Sequence, residues 1–260
     1  MARAIIGGLV AKGIRASDIT VVEIDAGART RLTNEFGVDT VEAPGAELAR
    51  VDVVVMAVKP QHMRAAATAV APCVGNPLIV SIAAGIRLAD LSRWMQDRKR
   101  VVRAMPNTPA LVHAGITGLH APGGVSADDR QAAEDLLATV GATLWFDRED
   151  ELDAVTAVSG SGPAYVFYAI EALEEAARDL GLAEGASRSL ALWTFVGATK
   201  LAIERGEDPS ALRAQVTSKG GTTERALEVL EAAGVKANFV AAVKAACERS
   251  RELGDALGKD

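Results

Sequence analysis

Val53-Val54-Val55-Met56-Ala57-Val58-Lys59-Pro60-Gln61 is an unbroken aliphatic run that stops at a small residue, a cation and a proline. A strand with no polar face must be covered on both sides, as in a parallel sheet layered between helices. Around it, residues 19–24, 51–58, 78–82, 101–104 and 115–120 read as strands alternating with helical stretches, up to about residue 147. That alternation predicts a doubly wound α/β sheet. Ligands of such sheets bind beyond the carboxyl ends of the strands, where Ala57 leaves room for a flat ring and Lys59 can face phosphate or ribose. Two further strands end alike. One runs into Ala83-Ala84-Gly85, the other into Met105-Pro106-Asn107-Thr108-Pro109, with Asn107 held between two prolines. Each end is also readable as an ordinary turn, with Lys59 a solvated lysine and Asn107 a turn former.

From Glu149 onward the strands disappear. Ser161 is placed to cap a helix carrying Val166, Ile170, Leu173, Ala177 and Leu180 on one stripe, with a stop at Gly181. Residues 190–203 are apolar on nearly every side, the pattern of a helix buried in a bundle or a subunit interface. A last helix lines up Phe239, Val243, Cys247, Ser250 and Leu257. The expected division is an α/β domain over 1–148 and an all-α domain over 149–260.

At 260 residues the chain has room for two domains of ordinary size. Its net charge of -6 and the lack of a basic run argue against nucleic acid as a partner. The longest aliphatic run is too short for a membrane span, and the N-terminus has no secretion pattern, which together predict a cytoplasmic protein. Cys73 and Cys247 read as reduced core thiols, and His62, His113 and His120 lack ligand spacing, so no metal is expected.

Residues 1–9 read as the body of a helix with neither a strand nor a glycine-rich turn before it. In a dinucleotide-binding fold the pyrophosphate rests on that turn, so the sheet is expected to lack its first, central strand. The strand over 19–24 ends at Asp25, either a ribose ligand or a turn residue. Arg29 or Arg31 can accept a 2′-phosphate, which leaves NADH and NADPH both open as the cofactor.

Thr217-Ser218-Lys219-Gly220-Gly221-Thr222-Thr223 leads into a helical pattern near Glu224. Glycines let several N–H groups converge and a helix start adds positive potential, so this loop can cradle a carboxylate or phosphate beside hydroxyl donors. Read blandly, it is a Gly-Gly turn between two helices.

Four stretches together resemble the pyrroline-5-carboxylate reductase family: 57–60, 105–109, Ser159-Gly160-Ser161-Gly162-Pro163-Ala164-Tyr165, and 217–223 followed by Ala226-Leu227. They span essentially the whole chain in order. The resemblance implies a Rossmann-like domain followed by a helical dimerisation domain, and reduction of 1-pyrroline-5-carboxylate to L-proline with NADPH or NADH. It implies that Ser218, Gly220, Gly221 and Thr222 hold the substrate carboxylate while Thr223 bonds the ring nitrogen. Ala57, Val58, Lys59, Pro60, Ile82, Ala83, Ala84 and Asn107 would meet the cofactor. A homodimer is implied, assembled in some relatives into a larger ring such as a decamer. The chain departs from the family pattern at its start, at Pro44 and at Lys219. Arg103 and Glu149 read as solvated or paired rather than catalytic. Two rivals remain open: another imine or β-hydroxyacid type of NAD(P)-dependent reductase, and a truncated, non-catalytic dimerising relative.

Overall fold

The computed structural model describes residues 1–258. Helix α1 (Ala2–Ala11) is followed by β1 (Thr20–Val22), α2 (Ala26–Phe36) and β2 (Asp39–Val41). Next come β3 (Val53–Met56), α3 (Met63–Val70), β4 (Leu78–Ser81), α4 (Leu88–Trp94), β5 (Val101–Met105), β6 (Gly115–His120), α5 (Ala127–Ala138) and β7 (Gly141–Trp145). The remainder is helical: α6 (Glu151–Val155), α7 (Gly162–Asp179), α8 (Glu184–Arg205), α9 (Pro209–Gln215), α10 (Thr222–Ala232) and α11 (Val235–Leu257).

The strands fall into two sheets. β1 and β2 pair in parallel as a separate ribbon, while the main sheet has the order β3-β4-β5-β6-β7. β3, β4 and β5 are parallel, whereas β6 returns antiparallel to β5 and β7 runs parallel to β6. A wholly parallel sheet was the expectation, and the reversal follows from chain length. Only residues 106–114 separate β5 from β6, and a parallel crossover needs about a dozen or more. The short link is pinned by Asn107, whose Oδ1 accepts the Ile116 N–H at 2.9 Å.

β4 is buried at every position, and two apolar clusters cover its opposite faces. One gathers Met63, Ile79, Ile86, Leu91 and Met95; the other gathers Ile5, Leu78, Val80, Leu119 and Leu137. Every β1 position is only half-buried, as are the first three of β3; among the described residues β1 pairs with β2 alone and β3 with β4 alone. Two short strands lay outside the sequence reading. β2 has one exposed and two half-buried positions, and β7 alternates half-buried with exposed, so neither presents a long apolar run.

The chain divides into two compact units, Met1–Ser161 with the end of α11 from Ala246, and Gly162–Ala245. The first unit thus takes in α6 and the end of α11, where the sequence suggested a change at 148/149. A buried polar network accounts for the difference. Arg103 on β5 is 4% exposed and its guanidinium lies 3.2 Å from Glu149 Oε1 and 3.6 Å from Asp153 Oδ1. Asp153 Oδ1 in turn accepts the Ser250 hydroxyl at 2.8 Å. A cation buried in a sheet must be paired, so α6 and α11 are drawn onto it. Arg103 and Glu149 are therefore paired.

Ser161 does not cap α7. Residues Thr156–Gly160 form a π-helical turn that continues α6, and the Ser161 backbone is itself helical with its N–H on Thr156 O at 2.8 Å. A capping residue is extended, so that role is excluded here. Within the second unit α7 carries no buried residue, and α8 buries only Ser187 and Ala191. The expected stripe of α7 therefore lies open in a single chain. Cys73 and Cys247 are free thiols but half-buried, not interior as expected.

Candidate active site

In the first unit the ends of β3, β4 and β5 make a rim. Past Met56 the chain passes through Ala57 and the exposed Val58 and Lys59 into a turn of 3-10 helix, Pro60–His62. Lys59 is extended and its carbonyl accepts the His62 N–H at 2.9 Å, so the ammonium group is left to solvent while the proline holds the turn. The neighbouring rim segment is tied to it through Ile82 N–H on Met56 O at 3.2 Å. Ile82 and Ala83 are buried and Ala84 is half-exposed. At the third strand Asn107 is 9% exposed and spends its carbonyl oxygen on β6, leaving its amide nitrogen as a donor with no protein partner among the described residues. The three strand ends thus supply small side chains, one cation and one amide donor. The expected rim residues Ala57, Val58, Lys59, Pro60, Ile82, Ala83, Ala84 and Asn107 lie just past the ends of three adjacent strands of one sheet, β3, β4 and β5.

Asp25 ends the separate β1–β2 ribbon and caps α2, its Oδ1 accepting the Ala28 N–H at 2.5 Å. Arg29 is spent on the carbonyls of Glu23 and Ile24, at 2.7 and 3.0 Å. Arg31 is mostly exposed and lies 3.7 Å from Asp25 Oδ1, so it is the freer of the two arginines.

In the second unit the loop 217–223 joins α9 to α10. Thr217 is anchored by its hydroxyl on Arg213 O at 2.6 Å. Ser218 O accepts the Gly221 N–H at 3.0 Å, closing a tight turn. Gly220 has φ +71, in the left-handed region, and a Cβ on Gly221 would lie 2.7 Å from Ser218 Oγ. Both glycines are therefore required by the turn. α10 starts at Thr222 with Gly221 as its extended cap, and no side chain caps it. The first N–H groups of α10 are thus open to an anion, next to the Ser218, Thr222 and Thr223 hydroxyls. Ser218, Gly220, Gly221, Thr222 and Thr223 are contiguous on this one turn.

One resident of the cradle escaped the sequence reading. Glu224, in the first turn of α10, folds back so that its Oε2 accepts the Gly220 N–H at 2.6 Å. The bond falls one residue before the Gly221 cap, so it braces the turn rather than capping α10. The carboxylate occupies one donor and adds negative charge where an anion would bind. Glu224→Gln keeps an acceptor for Gly220 while removing the charge, and two like charges about 4 Å apart in water repel by roughly 1 kcal/mol. The expected result is a KM for an anionic substrate lowered about fivefold at low salt, with the difference shrinking as salt is added; steady-state kinetics across a salt series reads it.

Among the described residues, no group of three or more His, Cys, Asp or Glu has an arrangement to hold a metal ion, and no helix is long and apolar enough to cross a membrane. His113 and His120 instead face carbonyls, those of Thr139 and Phe146.

Comparison with known proteins gives this chain a family. Residues 149–253 match the family model described as pyrroline-5-carboxylate reductase dimerisation, and residues 1–85 match one described as NADP oxidoreductase, coenzyme F420-dependent. The pyrroline-5-carboxylate reductase of Pseudomonas aeruginosa is 45% identical over 260 residues, covering 100% of this chain and 95% of the relative. That of Pasteurella multocida is 39% identical, covering 97% and 94%. Among solved structures, a pyrroline-5-carboxylate reductase from Coxiella burnetii superposes with a TM-score of 0.91 at 37% identity, over 97% of this chain and 94% of the other. The Plasmodium falciparum pyrroline carboxylate reductase with NADP bound gives 0.84 at 28% identity, over 96% and 93%. Near-complete coverage in both directions, at these identities, places the chain in the pyrroline-5-carboxylate reductase family.

Proposed function

We infer that this protein reduces 1-pyrroline-5-carboxylate to L-proline with NAD(P)H. The observation that carries the reading is the uncapped start of α10 behind the Gly220-Gly221 turn, a cradle for a small carboxylate, in a chain of this family. The rim residues fit a dinucleotide. Ala57 and Ala84 leave space for a flat ring, Asn107 offers an amide donor, Lys59 a cation, and the N-terminus of α1 has no side-chain cap. When bound, the nicotinamide supplies the hydride.

The protein's own part is binding and orientation. The first N–H groups of α10, from Thr222 onward, hold the carboxylate, with the Ser218 and Thr222 hydroxyls beside them, while Gly221 keeps its own N–H on Ser218 O and shapes the turn. That fixes the ring relative to Thr223, whose hydroxyl donates to, or accepts from, the ring nitrogen and holds it in register while it gains its proton. A cyclic imine is basic enough to arrive partly protonated near neutral pH, so a neutral hydroxyl suffices and no strong acid is needed. Arg31, mostly exposed beside Asp25, supports use of the phosphorylated cofactor.

The helical unit supports a homodimer, and larger rings built from it remain within the proposal, as does a cytoplasmic location. α8 leaves Leu190, Trp193, Val196 and Ile203 at 51–76% exposure, more apolar surface than a lone chain leaves open in water. Mixing the purified protein with 1-pyrroline-5-carboxylate and NADPH or NADH tests the function. Absorbance of the reduced cofactor falls and L-proline accumulates in equal amount; oxidation without proline would overturn the assignment in favour of another reductase.

A further inference from the structure

We propose that the end of α11 is a brace that sets the height of the rim segment 82–85, which makes Gly254 and Leu257 positioning residues for the cofactor. The proposal rests on the reading of Ile82, Ala83 and Ala84 as part of the cofactor site.

Among the described residues, little hydrogen bonding ties residues 83–86 to the sheet: Ala83 N–H reaches Ser81 Oγ at a long 3.4 Å, and residues 84–85 form a turn. The segment nevertheless is well buried: Ala83 is 5% exposed and Ile86 2%. What it lies on is α11. Gly85 has φ +73, and a Cβ added there would stand 3.3 Å from Leu257 Cδ1 and 3.5 Å from Gly254 N. A Cβ added to Gly254 would stand 3.4 Å from both Gly85 O and Arg87 Nε. Gly85 and Gly254 thus sit close together with Leu257 beside them; a methyl at Gly254 would only reach contact distance, and a side chain larger than that would have to widen the separation.

The flanks of the segment are tied to the same scaffold. Arg87 pairs with Asp255 on α11, and Arg93 donates to Gly258 O at 3.2 Å. Leu88 N–H, at the start of α4, donates to Glu149 Oε1 at 2.7 Å, the oxygen that also faces Arg103. Ser250 on α11 completes the network through Asp153. The segment is therefore held between a buried ion network at its far end and a helix beneath it. A displacement on the order of 1 Å at a site that orients a reacting ring is enough to matter by large factors in rate.

Three variants test this by fluorescence titration with NADPH, with KM for the imine and the melting temperature measured in parallel. Gly254→Leu is expected to raise the Kd for NADPH at least tenfold by lifting Gly85, while KM for the imine moves less than twofold. Leu257→Ala, which introduces no clash and so folds, is expected to raise it about threefold by withdrawing support. Ala84→Trp fills the rim itself and should abolish binding whatever lies beneath. Wild-type affinity in Ala84→Trp would overturn the cofactor reading. Loss of binding in Ala84→Trp with unchanged NADPH affinity in both Gly254→Leu and Leu257→Ala would overturn the brace, even where the melting temperature falls.

Discussion

Thr223→Ala is expected to lower kcat about thirtyfold and to leave the NADPH Kd within twofold of wild type. The thirtyfold corresponds to about 2 kcal/mol, within the range for one hydrogen bond aimed at a group whose charge changes in the transition state. Thr223 is half-buried in the first turn of α10, so the helix holds its backbone and the effect is confined to the side chain. Thr223→Ser retains the hydroxyl and should recover most of the rate, whereas Thr223→Val, equal in shape but without a donor, should behave like alanine. Single-turnover measurement with saturating substrate separates this from a change in binding. A Thr223→Val rate equal to wild type would remove the residue from the reaction and leave the loop a carboxylate cradle alone.

The sheet was legible because its central strands are unusually apolar. Residues 53–56 and 78–81 have no polar face to disguise them, and their abrupt ends at Ala57-Val58-Lys59-Pro60 and Ala83-Ala84-Gly85 mark the rim. The reversal at β6 was not legible, since strand patterning carries no direction; only the shortness of residues 106–114 holds that information. Arg103 was legible in part: it and Glu149 both read as solvated or paired, without being assigned to each other. A cation in the middle of an otherwise buried strand requires a buried acid, and its partners Glu149 and Asp153 stand some fifty residues away, where separation in sequence hides them. The π-turn at Thr156–Gly160 was hidden for another reason. Ser-Gly-Ser-Gly-Pro mimics the start of a helix, yet Gly160 packs against the end of the Met105 side chain, 2.5 Å from where a Cβ would stand, next to the Pro106-Asn107 rim. The loop 217–223 was read correctly as a turn entering a helix because glycine and hydroxyl chemistry is local, while the return of Glu224 onto Gly220 depends on the side-chain rotamer.

Trp193→Asp is expected to convert the assembly into monomers of 27.0 kDa. Trp193 sits near the middle of α8 and is 73% exposed in the isolated chain, beside Leu190 at 56% and Val196 at 51%. A buried Trp removes about 150–250 Å² from water, worth about 4–6 kcal/mol at roughly 25 cal/mol per Å². In a two-fold dimer the substitution is made twice, and the aspartate also brings a charge into the interface that has no partner there. Partial rearrangement of neighbouring side chains offsets some of this, so the dimer dissociation constant should rise at least about 10³-fold. Sedimentation velocity at micromolar protein measures it directly. Circular dichroism separates dissociation from unfolding, since the first unit has its own core and keeps its helix and strand signal if α8 alone is affected. An unchanged sedimentation coefficient in Trp193→Asp would place the interface on a different face of the helical unit, and the exposed Phe167 and Tyr168 of α7 would be the next surface to test.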